Sequence, residues 1–211
     1  MSSRRPASRP PAAAPRPADA TPALPPLRLR IKKGSDGKVA AFALHRGDGT
    51  VTVVRNPHPF FPVHDLTHYV VETTLRHRRG FYGLVCEGWN FEDFGTPWPR
   101  GPLPADSDPA EVIVGFLDLE RATGHRMTAD ELNAKVADYY SQRAAHPATP
   151  AISADALDRI RARLRRLEAQ WHDTAPGQAL ELTYHPGEDM PDHEPEGAGP
   201  APVWQRGATR A

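Results

Sequence analysis

The chain has a single cysteine, Cys86, in 211 residues. That excludes an internal disulfide framework and any zinc site built from cysteines. A reducing cytoplasm suits such a chain, and cytoplasmic location is the expectation. No apolar run approaches the roughly 18 residues of a membrane span. Arg4, Arg5 and Arg9 are not followed by an apolar stretch, so a secretory signal is not expected. An excess of either charge is also missing: 26 basic residues face 26 acidic ones. A general affinity for nucleic acid or for anionic membrane is therefore not expected.

Proline is abundant instead. There are 24, more than twice the usual share of about 5%. They crowd residues 6–26, 97–109 and 186–202. Residues 1–26 are Ser, Arg, Pro and Ala with almost nothing to bury, so they read as a disordered tail. Residues 186–211 read as a second disordered tail, made acidic by Glu188, Asp189, Asp192, Glu194 and Glu196. One globular domain, 27–185, lies between them.

The first part of that domain reads as a β-meander. Leu27, Leu29 and Ile31 alternate with Arg28, Arg30 and Lys32, the pattern of a strand buried on one face. Asp36-Gly37 and Asp48-Gly49 supply two hairpin turns around Val39–Leu44 and before Val51–Val54. A last strand over 179–184 can join this sheet. The rest reads as four or five helices, which makes the fold class α+β. Pro62 starts the first helix, expected over 62–78 with Gly80 as its stop. A second, buried helix is expected over 81–91. Asp108-Pro109-Ala110-Glu111 reads as a helix start with Asp108 as N-cap. Thr128 and Glu131 form a capping box for the next helix, which Pro147 and Pro150 end. Ser153 caps a helix of about twenty residues with Leu157, Ile160, Leu164, Leu167 and Trp171 on one side. Its five arginines, Arg159, Arg161, Arg163, Arg165 and Arg166, read as a solvated face, because no aromatic is interleaved to stack bases.

The chemistry concentrates in Pro62-Val63-His64-Asp65-Leu66-Thr67-His68-Tyr69-Val70-Val71-Glu72. On a helix, His64, His68 and Glu72 fall on one stripe, with Asp65 at its edge. Two imidazoles four residues apart can chelate one ion, and a carboxylate supplies a third donor. Val71 and Leu75 share that face, so the stripe is expected to be at least half buried. Glu87 stands alone in an apolar run, where a carboxylate needs a compensating partner. The expected ligands are His64, His68, Glu72, Asp65 and Glu87, with Glu87 and Asp65 as candidate catalytic groups. His58, His77, His185 and His193 are weaker candidates.

His64-Asp65-Leu66-Thr67-His68 resembles the HDxxH zinc motif of the coenzyme Q biosynthesis proteins, a helical family. That family places a Glu after eleven further residues, where this chain has Gly80, so only Glu72 or Glu87 can stand in. The same five residues resemble the HExxH of zinc peptidases, with Asp65 in place of the catalytic Glu. Phe61 to Tyr69 followed by Gly80-Phe81-Tyr82-Gly83-Leu84 is similar to uncharacterised bacterial proteins.

The functional expectation is a small metal-binding protein, with zinc as the divalent ion, acting as a hydrolase or lyase on a substrate the sequence does not name. The competing expectation is a non-catalytic module that binds another protein, its polar cluster being structural. A nucleic-acid partner is not expected.

Overall fold

A computed structural model describes residues 24–142 and 150–190. Most of the two expected tails, together with Pro147 and His193, falls outside the described residues.

Alternation of apolar and polar residues builds β1 (Leu27–Lys33), β2 (Val39–His45) and β3 (Val51–Arg55), and a fourth strand, β4 (Ala179–Tyr184), completes the sheet. The order is β3-β2-β1-β4, antiparallel throughout. Leu29 pairs with Leu44 on one side and Leu182 on the other, so one face carries a continuous apolar row. Gly37 and Gly49 take the positive φ that the two Asp-Gly turns need. The α+β expectation holds, and β4 joins the meander beside β1.

Helix α1 (Phe61–Thr74) lies under the apolar face, and every residue from Asp65 to Thr74 is buried. The expectation that the histidine face is at least half buried holds. The hydroxyl of Tyr69 donates to Thr183 O at 2.9 Å and ties the helix to β4. The helix also stops earlier than expected, at Leu75 rather than near Gly80. Arg76 adopts φ 55°, and two bonds close the turn, His77 N–H to Glu72 O and Arg76 N–H to Thr73 O. That is a Schellman end with arginine where glycine is usual.

Gly80 instead opens the next helix, α2 (Phe81–Cys86), as its N-cap. The expected helix over 81–91 is cut short by Gly88 at φ 94°, where Trp89 N–H bonds Leu84 O and Gly88 N–H bonds Val85 O. A short 3-10 turn follows at Phe91–Phe94, boxed by Asn90 and Asp93. Helices α3 (Ala110–Thr123), α4 (Ala129–Ser141) and α5 (Ala154–Asp173) complete the layer. Thr128 with Glu131 caps α4, and Ser153 caps α5, as their side chains predict. Asp108 does not cap α3. Pro109 takes the N-cap position, and the Asp108 carboxylate accepts the backbone N–H groups of Arg78 and Arg79 at 2.8 and 2.5 Å. The α1–α2 turn is thereby fastened to the start of α3. Among the described residues, no helix is long and apolar enough to cross a membrane.

Arg46, beside the β2–β3 turn, fastens the sheet to α2. Its guanidinium donates to Val85 O at 2.7 Å, to Asn90 Oδ1 at 2.9 Å and to Trp89 O. These carbonyls lie at the C-terminal end of α2, where a cation is favoured. Arg46→Met keeps the aliphatic stem and removes the donors. The expected cost is about 3 kcal/mol in urea denaturation, since charge-assisted bonds to partly buried carbonyls are lost together. A cost below about 1 kcal/mol would show that the sheet and α2 hold each other without this cation.

Candidate metal centre

Helix α1 places His64 and His68 one turn apart, their ring centroids 4.9 Å from each other. Across from them, α3 presents Glu111. One donor atom from each of His64, His68 and Glu111 lies within 4.8 Å of the other two. These three side chains form a group close enough to hold a metal ion. His68 Nε2 already stands 3.6 Å from Glu111 Oε2. Tetrahedral bonds of about 2.0–2.1 Å put donor atoms about 3.4 Å apart, so the widest gap must close on binding.

The other ring nitrogen of each histidine faces a carboxylate. His64 Nδ1 is 2.7 Å from Asp118 Oδ2, and His68 Nδ1 is 3.4 Å from Glu72 Oε1. Carboxylates in this position fix the tautomer and orient the ring of a metal-binding histidine. Asp118 is itself held by Arg121 at 2.7 Å, and Arg121 lies over the Phe60 ring, which packs against His64. His68 packs against Phe81. The centre is buried on the His68 side and opens to solvent through Glu111, whose side chain is 46% exposed.

Of the residues expected from sequence, His64 and His68 are brought together. Glu72 is buried on the far side of His68 and is bonded there. Both of its carboxylate oxygens accept Tyr82 N–H, at 3.1 and 3.3 Å. Asp65 is buried beside the cluster, and its backbone carbonyl accepts the Tyr82 hydroxyl at 2.9 Å. Glu87 is not brought to the histidines. Because α2 ends at Cys86, Glu87 turns back onto Arg79, which grips it in two bonds of 2.7 and 2.9 Å. Arginine thus supplies the compensation that its apolar surroundings demand. His77 lies on the far side of Glu72, buried, its Nδ1 without a hydrogen-bond partner among the described residues.

In the sequence Glu111 stands out only as part of a helix start. A local signal was available. Glu111, Val114 and Asp118 share one stripe of α3 at spacings of three and four, so two acids flank an apolar, fully buried residue. What they face across the helix interface is not a local property.

Burial by itself disfavours a charged His68, but Glu111 and Glu72 outweigh it and push the imidazole up to about 10. Glu111 moves the opposite way. Burial raises it, and the charge of His68, then of His64, carries it below the usual carboxylate range. Asp65 is pushed up to about 8 by burial, opposed by His68 and reinforced by Glu111 and Asp118. Without a metal, a proton on His68 therefore balances the surrounding carboxylates.

The backbone at Gly80 leaves room for Glu72. A Cβ at position 80 would overlap the Glu72 carboxyl carbon and Oε2. The Glu72 carboxylate fills the space that a side chain at position 80 would take. Gly80→Ala is expected to cost about 2 kcal/mol in urea denaturation, as overpacking does. In a Glu72→Ala background most of that cost should vanish. Equal costs in both backgrounds would assign the penalty to something other than Glu72.

No family model, curated protein or solved structure matches this chain.

Proposed function

We propose that the protein binds one zinc ion through His64, His68 and Glu111 and uses it for hydrolytic or lyase chemistry on a small molecule. The observation that carries this reading is the convergence of two imidazoles and one carboxylate from two helices, with a carboxylate behind each ring. Two nitrogens and one oxygen suit zinc, and three protein donors leave a fourth position for water. Zinc lowers the pKa of such a water toward neutrality. Asp65, next to His64 in the chain and buried beside the cluster, is the candidate acid. Asp118 and Glu72 orient the two rings. Glu87, committed to Arg79, takes no part.

Untagged protein is expected to carry close to one equivalent of zinc by elemental analysis after purification. His68→Ala and Glu111→Ala should each abolish it, while Glu87→Gln should keep it. Metal-free protein with no affinity for added zinc would end this reading.

The proton on His68 also makes the site pH-sensitive. In the metal-free protein His68 titrates near 10, above its ordinary 6.5. Its contribution to stability is complete below 6.5 and is lost as pH rises toward 10. Asp65 acts in the same direction, between its ordinary 3.8 and about 8. The melting temperature of the metal-free protein is therefore expected to fall from pH 6.5 to 9. Zinc must displace the His68 proton, so the rise in melting temperature that zinc produces should grow over the same interval. Thermal scans with and without zinc at three pH values check both slopes.

The protonated His68 held between Glu72 and Glu111 also supports a second reading, a structural ion cluster in a non-catalytic module that binds another protein. It predicts the same fall in stability with pH but no stabilisation by zinc at any pH.

A further inference from the structure

A cleft between α3 and α5 is not used by the metal centre. It encloses about 310 Å³, opens to solvent and lies at the lower end of the size range of small-molecule sites. Its floor is aliphatic: Leu117 and Ile160 are buried and Leu164 is half-buried. Its walls carry four arginines and two glutamates.

Most of these charges are already matched. Arg161 holds Glu120 in two bonds of 2.9 and 2.7 Å and also donates to Met127 O at 2.6 Å. Arg121 holds Asp118 and Arg126 holds Asp158, each at 2.7 Å. One cation and one anion remain. Arg165 and Glu168 form no hydrogen bond or ion pair among the described residues, with each other or with any other side chain. They stand three residues apart on α5, so their Cβ atoms are about 5–6 Å from each other on the wall of the same cleft. Arginine precedes glutamate, the less favourable order for a pair on a helix.

A ligand matched to this cleft has an aliphatic body and carries a negative and a positive charge close together. A simple anion would answer Arg165 but bring its charge beside Glu168, and a simple cation would do the reverse. The carboxylate and ammonium of a free amino acid share one carbon, and its side chain extends away from both. We propose that the α3–α5 cleft binds a free α-amino acid with an aliphatic side chain. Its carboxylate sits on Arg165, its ammonium on Glu168 and its side chain on Leu117, Ile160 and Leu164. The site is separate from the three metal donors and needs no ion.

The test titrates leucine into full-length protein labelled with nitrogen-15 and follows the backbone amides by NMR. Amides of α3 and α5 around the cleft are expected to shift, with a Kd of about 1 mM or tighter for a ligand of so few atoms. Leucinamide lacks the carboxylate, N-acetylleucine the ammonium and glycine the side chain. Each is expected to bind at least about fivefold more weakly than leucine. Arg165→Gln should weaken leucine to the level of leucinamide, and Glu168→Gln should weaken it to the level of N-acetylleucine. Arg165→Lys keeps the charge and should keep most of the affinity. No shift at leucine concentrations well above the expected Kd would overturn the proposal. So would leucinamide or N-acetylleucine binding as tightly as leucine, or leucine affinity unchanged in both glutamine variants. Displacement of leucine by equimolar inorganic phosphate would also overturn it, and would make the cleft a plain anion site. Should a glutamine variant fail to fold, the ranking of the four ligands on the wild type decides.

Discussion

The carboxylate of Glu72 is the contact on which the site depends. It has no exposed surface, and it is surrounded by elements from three parts of the chain. Tyr82 N–H, at the start of α2, donates to both of its oxygens. His68 lies on one side, and the missing side chain of Gly80 makes the space it fills. A buried carboxylate without such partners would cost several kcal/mol. Here the same group caps α2, orients His68 and fixes how closely α2 approaches α1. Moving Glu72 would therefore loosen a helix junction and release an imidazole at the same time.

The surrounding charges explain why one position serves either a proton or a metal. Asp65, Glu72, Glu111 and Asp118 bring four carboxyl groups around two imidazoles. Asp65 lowers the charge of the group by holding its proton, and His68 lowers it further by taking one up. A divalent ion would bring two positive charges to the same place and set free the single proton on the imidazole it binds, a net gain of one. The polar cluster is thus compatible with a stable metal-free fold. A chain with this arrangement need not unfold when the ion is removed, unlike a small domain whose core is its zinc site.

Much of the fold was legible locally. The alternation in Leu27–Lys33, the two Asp-Gly turns, the Thr128–Glu131 box and the Ser153 cap each act within a few residues, and each predicted its element. The misreadings occurred where a residue answers to a distant partner. Gly80 looked like a helix stop, but its bareness accommodates Glu72, and α1 ends earlier through an arginine in the left-handed region. Asp108 had the right sequence for a cap, but two backbone N–H groups across the turn claim its carboxylate. Glu87 was correctly read as a charge in need of a partner. The partner is Arg79, eight residues back, because Gly88 ends α2 before Glu87 can face α1. The pair His64 and His68 was visible because both lie on one helix. Glu111 was not, because the registry of α3 against α1 is set by packing.

The burial of the three donors argues for how an ion would enter. His68 is sealed, and its ring is held by Glu72 and Phe81. His64 is a quarter exposed but is gripped by Asp118 and flanked by Phe60. Only Glu111 is close to half exposed, and it sits in the first turn of α3, on a backbone fixed by the Asp108 contact to the α1–α2 turn. Ordering a long exposed side chain costs on the order of 1–2 kcal/mol, whereas moving either ring would break contacts inside the core. Closing the gap between donors around an ion would therefore fall to Glu111. The two histidines are held by contacts in the core, and Glu111 is the donor with the fewest such contacts to break.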